Sequence, residues 1–266
     1  MSDSKTLVAL LLGDVCGKPG CRALFMGLPQ LKKEYHADFV VVNGENAANG
    51  FGLSAEIMRQ FFERGADVIT SGNHIWQQED LLPYLDSEPR LLRPANYPPQ
   101  APGHGSVVVD AGGRKVAVLN LQGRAMLPSI DCPFRVGLEQ VEKLRRQTSV
   151  ILVDFHAEST EEKEALAFHF DGKASVLVGT HTHVQTADEK ILPNGTGYIT
   201  DLGMSGPRDS VIGSNPAISI QKQQSQMPLR NEILEAPGWL QGVCCTIDVA
   251  TGRTRSIARF SRQFGV

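Results

Sequence analysis

Apolar runs that end in polar tips recur along this chain. Thr6–Leu12 is a continuous run closed by Gly13 and Asp14. Residues 39–42 lead into Asn43-Gly44-Glu45-Asn46-Ala47-Ala48-Asn49-Gly50. Val68–Thr70 delivers Ser71-Gly72-Asn73-His74, and residues 149–155 end at His156. Residues 174–178 are closed by Gly179 and followed by His181-Thr182-His183. Runs this short and this apolar read as strands buried on both faces, the kind that build parallel sheets.

The segments between them predict helices over residues 21–34, 55–64, 77–85, 137–146 and 160–169. Ser54 stands where it can cap the second of these and Gly65 where it can end it. Glu161, Glu162 and Glu164 fall in the first turns of the last, as the helix dipole favours. Gly17, Pro19 and Gly20 predict a tight turn, and residues 94–105 and 128–134 predict loops. Ser106–Asp110 and residues 115–121 predict a hairpin around Ala111-Gly112-Gly113. Residues 196–201 and 242–249 predict further strands. Residues 203–207 read as a turn, either facing substrate or only reversing the chain. Residues 215–229 read as a helical or lid-like insertion. Alternating strand–helix units with a few antiparallel strands imply an α/β sandwich.

Open α/β sheets bind ligands beyond the C-terminal ends of their strands. Here those ends carry Asp14, Glu45 with Asn46, Asn73 with His74, His156, and His181 with His183. Each has an ordinary explanation by itself. Asp14 could cap a turn, Asn46 and Asn73 could close Asx-turns, and His156 could be a satisfied core histidine. Recurrence of metal-competent groups at five strand ends favours a shared metal centre. Residues i and i+2 of an extended segment point the same way, so His181 and His183 are expected to act side by side.

Two carboxylates, two amides and three imidazoles exceed what one tetrahedral zinc takes. They suit two five- or six-coordinate ions with Glu45 as the bridge. A nitrogen–oxygen set without thiolate favours iron, with manganese or zinc next, over calcium. Such pairs sit roughly 3.5–4 Å apart and lower the pKa of a bridging water from about 15.7 toward about 7. The resulting hydroxide can attack phosphorus in line. His74, next to Asn73, is expected to face the open side, bind a phosphoryl oxygen or protonate the leaving alkoxide.

Composition narrows the partners. The chain has 266 residues, 41% hydrophobic and 21% charged, with a net charge of −3 and a pI near 6.2. That balance argues against a stable nucleic-acid complex or an attraction to anionic membranes. Lys143-Leu144-Arg145-Arg146 is the densest basic run and reads as a solvated helix face. No apolar stretch reaches the roughly 18–20 residues of a membrane span, so no membrane partner is expected. The N-terminal apolar run continues into Gly-Asp-Val-Cys and does not read as a signal peptide. Five cysteines without framework spacing suggest reduced thiols and a cytoplasmic protein, and homo-oligomerisation stays open.

Asp14 in GDVCG, Asn73-His74 in SGNH, His156 in DFHAE and the pair in GTHTH resemble the calcineurin-like metallophosphoesterases. Their usual pattern is D-x-H, GD, GNH, H and G-H-x-H. Cys16 stands here in place of the first histidine, and NGEN replaces GD. Those departures are similar to the YmdB-like branch, which the segments NGENAANG, SGNHIW, DFHAE, GTHTHVQT and TDLGMSGP resemble over most of the chain. The resemblance implies a four-layer αββα sandwich with mixed sheets, and a single metallophosphoesterase domain over residues 1–266. It implies a di-iron phosphodiesterase that opens 2′,3′-cyclic nucleotides (2′,3′-cAMP or 2′,3′-cGMP) to 3′-phosphates. Asp14, Glu45, Asn46 and His183 would hold one ion; Glu45, Asn73, His156 and His181 the other; His74 would be the acid and Cys16 a spectator. A phosphomonoesterase or nucleotidase on the same site, and a regulatory nucleotide- or RNA-binding protein, are the competing readings.

Overall fold

The computed structural model describes residues 5–264. The chain opens with strand β1 (Thr6–Leu12), the short β2 (Asp14–Val15) and helix α1 (Gly17–Glu34). There follow β3 (Phe39–Asn43), α2 (Ala55–Glu63), β4 (Val68–Thr70), a 3-10 turn (Glu79–Leu81) and α3 (Leu82–Ser87). The middle contains β5 (Ser106–Asp110), β6 (Lys115–Gln122), α4 (Pro133–Arg145), β7 (Val150–His156), α5 (Thr160–Phe170) and β8 (Val176–Thr180). The last part is β9 (Lys190–Ile191), β10 (Gly197–Ile199), β11 (Met204–Pro207), α6 (Pro216–Ser225), β12 (Gly238–Asp248) and β13 (Thr254–Phe264).

Two mixed sheets result. One runs β2-β11-β12-β1-β3-β4 with β13 beside β12, and the other runs β5-β6-β7-β8-β10-β9. Strands β1, β3 and β4 are parallel neighbours, as are β6, β7, β8 and β10. Alternate residues decide the layers. Leu7, Ala9, Leu11, Phe39, Val41 and Val68 of the first sheet pack against Val116, Val118, Val150, Leu152, Val176 and Val178 of the second. The opposite face of the first sheet packs on α1 and α2 through Leu24, Leu28, Met58 and Phe61. That of the second packs on α4 and α5 through Val141, Leu166 and Phe170. Helix, sheet, sheet and helix are therefore stacked, as the expected αββα sandwich requires. Each fully buried large apolar side chain contributes on the order of 1.5–3 kcal/mol.

Following the inner face to the strand ends locates the site. In β7 the inward series is Val150, Leu152, Asp154, His156; in β3 it is Phe39, Val41, Asn43; in β8 it is Val176, Val178, Thr180. The apolar layer between the sheets thus ends in a polar cap, entirely buried, at the C-terminal ends of the strands.

Several boundaries differ from those expected. The predicted turn at Gly17-Pro19-Gly20 is the first turn of α1, whose donors there have no partner to lose to proline. Gly179 lies inside β8, and the strand ends at Thr180. The predicted turn at residues 203–207 is β11, which pairs with β2 and β12. The expected insertion contains α6, a helix with no buried residue, capped by Asn215 accepting from the Ala217 amide at 3.0 Å. The 94–105 loop, the hairpin and the Ser54 cap are as expected.

Candidate metal centre

Buried Asp154 is the root of the site. Its carboxylate accepts from Asn43 Nδ2 at 2.9 Å, Thr70 Oγ1 at 2.5 Å and Thr180 Oγ1 at 2.8 Å. Burial raises its carboxyl to about 6, against the pull of those three bonds. Thr180 spends its only proton on Asp154, so toward His156 Nδ1, 2.9 Å away, it can only accept. The His156 proton therefore sits on Nδ1, and its Nε2 lone pair faces inward, 3.5 Å from Glu45 Oε1.

His183 is fixed in the same way. Its Nδ1 donates to the Ile212 carbonyl at 2.9 Å, which leaves Nε2 turned toward Asn46 Nδ2 at 3.0 Å and Asp14 Oδ1 at 3.9 Å. A histidine with one N–H committed to a protein acceptor and the other nitrogen left unprotonated is the arrangement metal-binding imidazoles use.

Glu45 is held by the backbone N–H groups of Gly72 and His74, the latter at 2.6 Å. Asp14 accepts from the His181 N–H at 3.1 Å. His181 Nδ1 faces His156 Nε2 at 3.1 Å, and its Nε2 faces Glu158 at 3.1 Å. His74 Nδ1 lies 2.9 Å from Asn46 Oδ1. Six of the seven predicted ligands and His74 are thus gathered at one place, and Asn73 lies between Gly72 and His74, whose N–H groups hold Glu45. Asn46 has its oxygen on His74 and its nitrogen toward Asp14 and His183, so the amide would have to turn over to ligate an ion beside Asp14.

One expectation about this loop is corrected. His181 and His183 are not on extended backbone: their φ angles are +103° and +65°. The two rings diverge, one to His156 and Glu158, the other to Asn46 and Ile212. Left-handed backbone at non-glycine residues costs energy, and strain of this kind is characteristic of sites the surrounding fold enforces.

Two partners of that loop were not singled out from the sequence. Lys163 Nζ and Asp201 Oδ2 form a fully buried ion pair at 2.7 Å. Asp201 also accepts from the backbone N–H of Thr182 and of Gly203. Asp154 was missed as well, although a carboxylate two residues before His156 in an apolar strand shares its face. Glu158, in the same DFHAE segment, was the other legible signal.

No group of three or more His, Cys, Asp and Glu side chains among the described residues stands as a preformed ion cluster. The donors instead rest on hydrogen bonds with one another. Three observations nevertheless fit the set to cations. Asn73 Oδ1 is buried without a hydrogen-bond partner. His156 and His183 both turn an unprotonated nitrogen inward. Burial pushes the Asp14 carboxyl up and that of Glu45 well up, and holds the His156, His74 and His181 imidazoles below their ordinary values. Positive charge among these groups would reverse the carboxylate shifts and match the neutral imidazoles. Cys16 is different: burial and the Asp14 carboxylate push its thiol up to about 12.

The donors open into a cavity of about 320 Å³, lined by Asn46, Phe51, His74, Glu158, His181 and His183. Cavities of about 430 Å³ beside Trp239 and about 400 Å³ beside Arg135 are larger. The first shares only His183 with the donor set and the second none of it, so chemistry rather than volume identifies the site.

Comparison with known proteins gives the family of the chain. The model of the YmdB-like protein family matches residues 10–260. The chain is 45% identical over 250 residues to a Bacillus subtilis 2′,3′-cyclic-nucleotide 2′-phosphodiesterase, covering 94% of this chain and 95% of that one. It superposes with a TM-score of 0.91 and 37% identity on the crystal structure of a novel phosphatase from Mycoplasma pneumoniae, covering 97% of this chain and 94% of that one. The Haemophilus influenzae NAD nucleotidase shares the fold, with a TM-score of 0.55 and 13% identity over 97% of this chain and 56% of that one. Fold and relatives define a phosphoesterase-type enzyme. The chain belongs to the YmdB-like family.

Proposed function

We propose that this protein is a metal-dependent phosphodiesterase that opens 2′,3′-cyclic nucleotides, 2′,3′-cAMP and 2′,3′-cGMP among them, to 3′-phosphates. The observation that carries the reading is the inward turn of the unprotonated His156 and His183 nitrogens toward buried Glu45 and Asp14. Asp14, Glu45, Asn46 and His183 would hold one ion, and Glu45, Asn73, His156 and His181 a second, with iron first among the candidates and manganese or zinc next. When bound, such a pair supplies Lewis acidity to phosphoryl oxygens and makes water a nucleophile near neutral pH.

The chain's own groups supply the rest. The buried Asp154–Thr180–His156 series fixes one imidazole, and Ile212 fixes another, so donor geometry does not reorganise during turnover. As a water oxygen bonds to phosphorus, the bond from phosphorus to the 2′-oxygen breaks. His74 faces the cavity with Nδ1 held by Asn46, and its Nε2 would deliver the proton that the departing 2′-oxygen takes. Burial disfavours the charged ring, and an anionic phosphoryl group in the cavity offsets that cost.

The test is turnover of 2′,3′-cyclic AMP by iron- or manganese-loaded protein, with the product resolved by chromatography. 3′-AMP as product supports the reading, and no turnover by metal-replete protein sinks it. The Mycoplasma pneumoniae relative is described as a phosphatase, which gives specific support to a phosphomonoesterase on the same site. Further conversion of 3′-AMP to adenosine would favour that second reading.

A further inference from the structure

Phe51 is 45% exposed, an unusual position for a phenylalanine, and it lines the cavity that contains the donors. Its ring lies 5.0 Å from the His74 ring, tilted by 53°. Exposed Ile212 lines the same cavity, and apolar groups gathered at the mouth of a polar site, unlike one exposed side chain, mark a contact surface.

The loop beneath Phe51 is tied down by hydrogen bonds. The N–H of Gly50 donates to Asn46 O at 3.0 Å, that of Gly52 to Glu45 O at 2.8 Å and that of Phe51 to Ala48 O at 3.1 Å. Gln78 Nε2 donates to Phe51 O at 2.7 Å. The backbone of Glu45 and Asn46 therefore carries the Phe51 loop directly, and the ring is held at a fixed offset from the donors. Gly50 has φ +88°, backbone that favours glycine, and the end of the Ile233 side chain stands 2.9 Å from where a Cβ would be.

Other walls of the cavity suit the same occupant. Ile233 packs against Gly50, and Ile212 is 53% exposed. Asn49 and Asn231 also line the space, and neither side-chain amide has a hydrogen-bond partner among the described residues. An aromatic face, aliphatic walls and unspent amides, each with donors and an acceptor, match a flat heterocycle with a polar edge.

From this we infer that Phe51 and the neighbouring Ile212, Ile233, Asn49 and Asn231 form a subsite for the nucleobase of the substrate. Phe51 stacks the base while the phosphodiester lies on the donor side of His74. The inference rests on the proposed cyclic-nucleotide reaction and adds that the base, not only the cyclic phosphate, is recognised.

The test compares 2′,3′-cyclic AMP with 1-O-methylribofuranose 2′,3′-cyclic phosphate, which lacks a base, on metal-loaded wild type, Phe51→Ala and Phe51→Trp. Stacking on an aromatic side chain predicts that Phe51→Ala lowers the ratio of the two kcat/KM values by about 5- to 150-fold. Phe51→Trp should keep the wild-type ratio. An unchanged ratio in Phe51→Ala would overturn the subsite, whether both rates fall together, as for a residue that only positions His74, or neither falls. If wild type opens neither compound, it is the reaction that has been misread. The subsite is then tested by calorimetry with AMP and ribose 5-phosphate: tighter binding of AMP that is lost in Phe51→Ala supports it, and equal affinities overturn it.

Discussion

Thr180 Oγ1 stands between two buried groups, 2.8 Å from Asp154 Oδ1 and 2.9 Å from His156 Nδ1. One hydroxyl thereby determines which nitrogen of His156 faces the site. Thr180→Val keeps the shape of the side chain and removes that constraint. It should lower metal affinity by about 10- to 100-fold while the fold persists. Metal titration of the chelator-stripped protein, with circular dichroism as the control, measures this; unchanged affinity would refute the role of Thr180.

Gly72 has no room for a side chain. A Cβ there would lie 2.1 Å from His156 Cδ2 and 2.3 Å from its Nε2. Gly72→Ala must therefore displace the imidazole, and bound metal per chain should drop together with turnover. Full metal content by plasma emission spectrometry would contradict this.

The Lys163–Asp201 ion pair is wholly buried. Removing Lys163 leaves Asp201 uncompensated, so Lys163→Met should cost about 3–5 kcal/mol in urea unfolding. Lys163→Met with Asp201→Asn should recover part of that loss. The double variant should still bind metal less tightly, because the Thr182 and Gly203 N–H groups that hold the histidine loop lose their carboxylate.

His74→Ala removes the proposed acid and its contact with Asn46 Oδ1, while leaving all seven proposed ligand side chains and the backbone N–H that holds Glu45 in place. It should retain its metals and lose about 100- to 10 000-fold in kcat on cyclic nucleotide. Full activity in that variant would remove His74 from the chemistry.

At the turn between β12 and β13, the Arg255 guanidinium, with help from the Thr251 N–H, holds the Asp248 carboxyl down to about 2. Its folded value lies below the ordinary 3.8, so its contribution to stability is complete above that value. It is lost as pH falls through about 2. The difference in urea midpoint between wild type and Asp248→Asn should therefore be largest at neutral pH and shrink below about pH 4. A pH-independent difference would contradict the assignment.

Much of this was legible in the sequence because strands buried on both faces leave uninterrupted apolar runs. Thr6–Leu12, Val150–His156 and their neighbours announce themselves, and the polar residues at their tips are the ones that meet. Strand β13 was not legible: only Thr254 and Phe260 of its residues are buried, and Arg255, Arg259 and Arg262 break any alternation. The MSGP segment was misread because Gly and Pro ordinarily mark turns, whereas Pro207 sits at a strand end. The left-handed backbone of His181 and His183 and the reach of the Ile212 carbonyl to His183 depend on contacts across the fold, which local pattern does not encode.

The central claim is that Asp14, Glu45, Asn73, His156, His181 and His183 hold a pair of cations. Anomalous diffraction from crystals of iron- or manganese-loaded protein tests it most directly. The account predicts two peaks among these side chains, roughly 3.5–4 Å apart. A metal-replete crystal with no peak there, or with its only peaks elsewhere on the molecule, would contradict it.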